Sequence, residues 1–332
     1  MVIYSTIIGF FVVLKKKACE RSNVLFVISM YSTIGFLLLL WSAGQAMNVS
    51  AGALGLIAIK SLIIALSWIF EGIALKIYMI SSLQPISAIK VIIGFFASTI
   101  IFHEANGWWR YIGVIIVFVG LILLNRYDAV IEKKKVKQES TLLNNFKIEN
   151  VSANNLTKDI DLESEIVKQQ ANSANQTSIS ENKNKFNNKR LIAITYFVAS
   201  CVLSEISGIL DRFIMDQVTT SQMQFWFMLF VSLFSWLALF CVGIKDRRIP
   251  ITKTDWENIF IYISGAVLVI GDRFMFTALT DPNVLVSGVS ILKQLSTVVS
   301  VVVGALIFKE PNLKRKIVYL IVILTGIIII LI

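Results

Sequence analysis

The chain runs through apolar stretches of about 20 residues again and again, and this pattern excludes most soluble folds. A helix of that length crosses the roughly 30 Å hydrocarbon core of a bilayer. Membrane β-barrels instead alternate polar and apolar residues along each strand, and these stretches do not alternate. Because 56% of the residues are hydrophobic and only 16% are charged, the sequence predicts an all-α polytopic membrane protein.

Ten spans are predicted between charged or turn-rich breaks. They lie near residues 1–14, 23–43, 53–75, 83–102 and 108–125 in the first half, and near residues 191–210, 222–244, 256–279, 284–308 and 316–332 in the second half. We therefore predict two five-helix domains, at residues 1–126 with a short first helix and at residues 189–332. Residues 127–188 between them are polar and contain 11 Asn, which is typical of a disordered linker.

The two halves share an internal repeat. Each half ends its fourth span with the pattern Phe-x-Glu-x-Asn, at residues 102–106 and again at residues 308–312. A Ser-x-x-Lys pattern also recurs, at residues 87–90 and 290–293. Since each half has an odd number of helices, the second copy enters the membrane from the opposite side. The sequence thus predicts two inverted five-helix repeats.

Lys and Arg residues are concentrated in the loops on one side of the predicted bundle. The loops after the first, third, seventh and ninth spans carry 13 of the 31 Lys and Arg residues, whereas the opposite short loops hold only Arg110 and Arg212. By the positive-inside rule, the first set and the linker lie in the cytoplasm and both termini lie outside. The formal net charge of +10 is therefore interpreted as a topology signal, and we expect a multi-pass protein of the plasma membrane.

The ends of the fourth and ninth spans are similar in sequence. Ile-Phe-His-Glu occupies residues 101–104, and Ile-Phe-Lys-Glu occupies residues 307–310. In this respect the chain resembles the EamA-type transporters of the drug/metabolite transporter superfamily. The resemblance implies two five-helix halves and a secondary carrier for a small metabolite, not an enzyme. Glu104 and Glu310 lie at helix ends beside basic groups, so we interpret them as capping or gating residues.

Charged residues inside the spans are the strongest indication of function, because each costs on the order of 2.5–3.5 kcal/mol at mid-membrane. They are Lys60, Glu71, Lys90, Glu205, Asp272, Arg273 and Lys293. Lys90 and Lys293 occupy equivalent places and share a helical face with small residues, which in membrane bundles face other helices. Two inward ammonium groups could bind the phosphate or carboxylate of a substrate. We assign substrate binding to Lys90, Lys293, Ser87, Ser290, Trp68 and Gln294.

Other roles for the same charges stay open at this point. Each lysine could be neutralised by a structural carboxylate, with Glu71, Glu205 and Asp272 as partners, or could reach the membrane interface. Glu71 and Glu205 could instead load and release protons in an exporter of amino acids, amines or drugs. We assign coupling or gating to Glu71, Glu205, Asp272 and Arg273.

Several chemistries are excluded by the residues themselves. His103 is the single histidine, so histidine-based triads and multi-histidine metal sites are ruled out. No phosphate-binding P-loop occurs, and the three cysteines form no CxxC pair. We expect no catalytic residue, metal or cofactor.

The expected partners are a small-molecule substrate, the lipid bilayer, and protons or a counter-metabolite. Nucleic acid is not expected, and a homodimer is left open. A non-transporting membrane subunit or a lipid-modifying enzyme is the alternative of another class.

Overall fold

The structure is a computed structural model of the chain. It describes all residues except 1, 102–106, 125, 128–129, 131–162, 246–250, 281–285, 311–312 and 332. Side chains inside helices at residues 2, 98, 163–187, 286–294, 313–314 and 331 also lie outside the description. Met1–Ile122 and Ala193–Ile332 form one compact unit, the helical bundle, and Leu123–Ile192 form a second unit.

The helices of the described residues follow the predicted spans. The first half contains α1 (Val2–Arg21), α2 (Val24–Leu38), α3 (Ala51–Ile77), α4 (Ile80–Ile101) and α5 (Trp108–Leu124). The second half contains α6 (Glu163–Met215), α7 (Thr220–Lys245), α8 (Ile259–Leu279), α9 (Val286–Ile307) and α10 (Leu313–Leu331). No strand occurs among the described residues. Short helices at Leu40–Ser42 and Ala43–Ala46 follow α2, and another at Lys253–Trp256 precedes α8.

Helix α4 is irregular near its start. It begins with one α-helical turn at Ile80–Leu83, passes through a 3₁₀ stretch at Gln84–Ala88, and becomes α-helical again at Ile89–Ile101. Pro85 lies in the 3₁₀ stretch, where its ring removes one backbone donor and disfavours the regular α-helical pattern. Gln84 and Ser87 of this stretch are buried and line the central cavity described below.

Several helices meet the requirements for crossing a membrane. Among the described residues, five are long and apolar enough, and a sixth is added if α2 and the helices after it, which are bent by 42°, count as one span. Shorter apolar helices occur at Trp108–Leu124 and Leu295–Ile307. The prediction of an all-α polytopic membrane protein is confirmed.

Equivalent helices of the two halves run in opposite directions. On α2 and α7, the Phe36 ring packs at 5.3 Å from the Phe225 ring, and the Phe26 ring packs at 6.3 Å from the Trp236 ring. Rising residue numbers on α2 therefore meet falling numbers on α7. Antiparallel equivalent helices are what an inverted repeat requires.

Helices α5 and α10 cross closely at a pair of glycines. A Cβ atom at Gly113 would lie 2.6 Å from the Gly326 carbonyl oxygen, and one at Gly326 would lie 2.9 Å from the Gly113 carbonyl oxygen. Further along, Gly120 packs against Ile323, so this equivalent pair is antiparallel as well. Small residues at such crossings let two membrane helices approach each other's backbones.

The crossing predicts opposite effects for two Gly→Ala substitutions. Gly113→Ala places a methyl group against a backbone oxygen and is expected to destabilise the protein by about 1–3 kcal/mol. Gly55→Ala in α3 meets nothing within 4 Å and is expected to stabilise by up to about 1 kcal/mol through helix propensity. Thermal unfolding in detergent measures both, and a Gly113→Ala variant as stable as Gly55→Ala would contradict the crossing.

Helix α1 is longer than the sequence predicted. It continues past the expected end near residue 14 to Arg21. Lys15 and Lys16, which we had placed in a cytoplasmic loop, are 0% and 4% exposed inside the bundle. Their ammonium groups form ion pairs with the carboxylates of Glu71 and Glu310. These ion pairs compensate the positive charges that are buried in the bundle.

The predicted linker is partly helical. Helix α6 begins at Glu163, so residues 163–188 extend a helix that we expected to start near residue 191. This stretch contains neither Pro nor Gly, and it therefore lacks the residues that most often end a helix. The predicted disorder at residues 128–129 and 131–162 lies outside the described residues.

Candidate functional site

The bundle encloses a cavity of about 170 Å³. Its walls come from α1, α3 and α4 of the first half and from α6, α7, α8 and α9 of the second half. The cavity gathers six residues that the site prediction named, which are Trp68, Glu71, Ser87, Lys90, Glu205 and Asp272. It also gathers residues that the site prediction did not include, among them Lys60, Gln84, Ser204, Asp211, Phe227, Phe276 and Thr297.

The Lys90 side chain lies at the cavity wall and is half-buried. Its ammonium group donates a hydrogen bond to the Ser204 hydroxyl of α6 at 3.2 Å. Among the described side chains, no carboxylate lies within ion-pair distance of Lys90. An ammonium group has three donors, so Lys90 can still bind an acceptor that enters the cavity.

Glu71 forms no close ion pair with Lys90, although the sequence left that pairing open. Its carboxylate instead accepts a hydrogen bond from Lys15 of α1, with 2.7 Å between Nζ and Oε2. Trp68, one turn before Glu71, packs against the Tyr31 ring at 5.4 Å, and the Lys15 ammonium lies 5.8 Å from the Trp68 ring centroid. These contacts hold the Glu71 and Trp68 side chains in place on the side of the cavity next to α1.

A second ion pair crosses the cavity wall between the halves. The Lys60 Nζ of α3 lies 2.5 Å from the Asp211 Oδ1 of α6, and both side chains are almost fully buried. Asp211 was missed because the predicted span ended at residue 210, whereas α6 continues to Met215. Polar residues at helical spacing could have revealed this face, since Ser200, Ser204, Ser207 and Asp211 follow one another at three- or four-residue intervals.

The remaining predicted site residues have mixed outcomes. Glu205 and Asp272 line the cavity at 7% and 8% exposure. Ser87 of α4 shares a hydrogen bond with Thr297 of α9, with 2.9 Å between the oxygens. Arg273 does not line the cavity but donates to the Ser221 hydroxyl at 3.1 Å. The side chains of Lys293, Ser290 and Gln294 lie outside the description, so their assignment stays a prediction.

A charged cluster ties the loop after α9 to the start of α4. We call Lys16, Ser81, Glu310 and Lys316 the Glu310 cluster. The Glu310 carboxylate accepts hydrogen bonds from the backbone N–H groups of Ile80 at 2.9 Å and Ser81 at 3.0 Å, and from Lys16 at 3.2 Å. The Ser81 hydroxyl donates to Glu310 and accepts from buried Lys316 at 2.8 Å. The predicted capping role of Glu310 is confirmed, while Glu104 lies outside the described residues.

The protonation of Glu310 is coupled to the stability of this cluster. Burial by itself would raise the pKa of Glu310, but Lys16 and the Ser81 hydrogen bonds outweigh it, so the pKa lies below its ordinary value of 4.5. A group with a depressed folded pKa contributes stability that is present above its unfolded pKa and lost as the pH falls through the folded pKa.

We therefore expect the melting temperature to fall more steeply below pH 4.5 in the wild type than in Glu310→Gln. Thermal unfolding of the two purified proteins across the acid range measures this difference. Identical pH profiles would mean that the Glu310 carboxylate is not held by these partners in the folded state.

Two comparisons with known proteins bear on this site. Residues 191–332 match the model of the EamA-like transporter family. A comparison with curated proteins finds no match. The matched region begins in α6 and continues through α10 to the end of the chain, and it supplies Ser204, Glu205, Asp211 and Asp272 to the cavity.

Proposed function

We propose that the chain is a membrane transporter that carries a small polar organic molecule by alternating access. Support comes from residues 191–332, which match the model of the EamA-like transporter family. The observation that carries this proposal is the cavity, on which charged side chains from both inverted halves converge. Intramembrane charges of this kind mark substrate or ion pathways. A proton or an exchanged metabolite would supply the energy, and the plasma membrane would be the location.

The substrate would carry a carboxylate or a phosphate that binds Lys90. Support comes from the ammonium group of Lys90, which faces the cavity and is hydrogen-bonded to Ser204. The cavity volume of about 170 Å³ is below the roughly 300–1,000 Å³ of pockets for drug-sized ligands. A small metabolite therefore suits the cavity better than a bulky drug.

The Glu310 cluster would close the cavity on the side that loop charges assign to the cytoplasm. It joins α1 and α4 of the first half to the loop and helix that follow α9 in the second half. Opening that side would require Glu310 to release the start of α4. Interfaces with two alternative packings of this kind are what an alternating-access carrier needs.

The inverted repeat suggests a counterpart at the opposite end. Lys16 donates to the Tyr78 carbonyl at 3.4 Å, and Arg212 donates to the Leu279 carbonyl at 3.4 Å. Both cations therefore contact the chain at the end of the third helix of a half. We propose that Arg212 is part of the closure of the outer side.

A second candidate function is proton-coupled export of amino acids or amines. The observation that favours it is the set of acidic residues in the cavity lining, Glu71, Glu205, Asp211 and Asp272. A buried carboxylate can load and release a proton when its surroundings change between two states.

A ligand screen separates the two functions. Thermal unfolding of the purified protein is followed with metabolites of both charge signs, because a ligand that binds the folded state raises the melting temperature. Compounds that shift it are then tested for uptake into proteoliposomes, with empty liposomes as control. Shifts and uptake with anions support the first proposal. Shifts with amines alone support the second, and no uptake of any binding compound contradicts both.

A further inference from the structure

The Lys60 ammonium group is enclosed by a carboxylate and two aromatic rings. Besides its contact with Asp211, the Nζ atom lies 3.9 Å from the centroid of the Phe227 ring and 4.9 Å from that of the Phe276 ring. Lys60 and Asp211 are 2% and 3% exposed. The four residues come from α3, α6, α7 and α8, and all of them line the cavity.

A carboxylate flanked by aromatic faces is the arrangement with which proteins bind organic ammonium ions. Here the ammonium ion is tethered to the protein as the end of the Lys60 side chain. Removing it without replacement would leave a buried Asp211 charge uncompensated, which is strongly unfavourable. Exchanging it for a second ammonium group keeps the charge of the enclosure unchanged.

The Lys60 side chain is long and flexible, and Lys60 lines the cavity, so an ammonium group that enters the cavity can compete with it for Asp211. Its displaced ammonium group would remain among acidic residues, since Glu205 and Asp272 line the same cavity. A rigid structural ion pair has no need to face an open volume, whereas a binding site does.

We propose that Asp211, Phe227 and Phe276 form a subsite for an organic ammonium group, which Lys60 fills while the transporter is empty and vacates when substrate binds. This inference rests on the proposed function and deepens it. With the anionic group at Lys90, the ammonium group at this subsite makes the substrate a small zwitterion. Lys60 then competes with the substrate for Asp211, so the ammonium group of the substrate must bind tightly enough to replace the Lys60 ammonium group.

The probes for this subsite are methylammonium to butylammonium chlorides, tested against NaCl at equal ionic strength. The readout is the saturable shift of the melting temperature of the purified full-length protein. We expect saturable binding to the wild type and binding at least tenfold tighter to Lys60→Met, because the tethered competitor is gone. The double variant Lys60→Met with Asp211→Asn should lose this binding. Glu257→Gln, in an exposed ion pair, should match the wild type.

The double variant keeps the experiment decisive even if Lys60→Met alone fails to fold. Replacing both members of the pair leaves no buried charge uncompensated, so the double variant can be compared with the wild type without Lys60→Met. No saturable binding to the wild type, equal binding to the double variant, or Lys60→Met binding no tighter than the wild type would overturn the subsite.

If alkylammonium ions fail to bind while anions still bind at Lys90, the subsite alone is wrong. If neither class of ligand binds, the proposed function fails with it.

Discussion

Lys90→Ala is expected to weaken binding of an anionic substrate at least about 30-fold. Truncating one partner of a buried charged contact costs roughly 2–5 kcal/mol, because the other charge is left without its counterion. In the variant the Ser204 hydroxyl also loses the ammonium group that donates to it. The affinity of the best anion from the ligand screen, measured by thermal shift and by uptake into proteoliposomes, gives the loss directly.

Three further variants sharpen this prediction. Lys90→Arg keeps the charge and should retain part of the affinity, whereas Lys253→Ala removes a lysine that is 91% exposed and should change nothing. By the repeat, Lys293→Ala is expected to lose as much affinity as Lys90→Ala. Unchanged anion binding in Lys90→Ala would remove Lys90 from the substrate site.

Glu310→Ala is expected to destabilise the protein by about 3–5 kcal/mol, the typical result of breaking a buried ion pair on one side. The Glu310 and Lys16 side chains are 4% and 5% exposed. Without the carboxylate, Lys16 loses the nearer of its two ion-pair partners and keeps only Glu20 at 3.9 Å. The Ile80 and Ser81 amides lose their acceptor. Thermal and denaturant unfolding in detergent measure the loss of stability.

The chain offers a matched control for this loss. Lys253 and Glu257 form an ion pair at 3.7 Å that is 91% and 63% exposed, and exposed pairs contribute about 0–1 kcal/mol. Glu257→Ala should therefore lie close to the wild type. A Glu310→Ala variant no less stable than Glu257→Ala would show that the Glu310 cluster does not hold the bundle closed.

The spans and the inverted repeat could be predicted because short stretches of the sequence are enough to recognise both. Apolar runs set the helices, and the repeated patterns around residues 87–106 and 290–312 relate the halves. The antiparallel packing of α2 on α7 then agrees with an odd number of helices per half. The same patterns led to Lys90 and to the capping role of Glu310.

The ion pairs could not be predicted, because their partners are far apart in the sequence. Lys15 looks like a loop residue beside Lys16 and Lys17, and only packing reveals that Glu71, 56 residues later, accepts its hydrogen bond. The pairing of Lys60 with Asp211 depends on the contact between α3 and α6. The helical spacing of polar residues on α6 indicates which face of this helix lines the cavity. It does not indicate that Lys60 of α3 is the partner of Asp211.

Cysteine accessibility tests most directly whether inverted halves enclose a water-filled cavity. In a variant with Cys19, Cys201 and Cys241 replaced by alanine, a single cysteine is introduced at Ser204, which lines the cavity, or at Ile206, which is 41% exposed on the bundle surface. We predict that a water-soluble thiol reagent labels Ser204→Cys, that bound substrate protects it, and that Ile206→Cys in lipid reacts little. The account would be contradicted if Ile206→Cys were labelled while Ser204→Cys did not react from either side of the membrane.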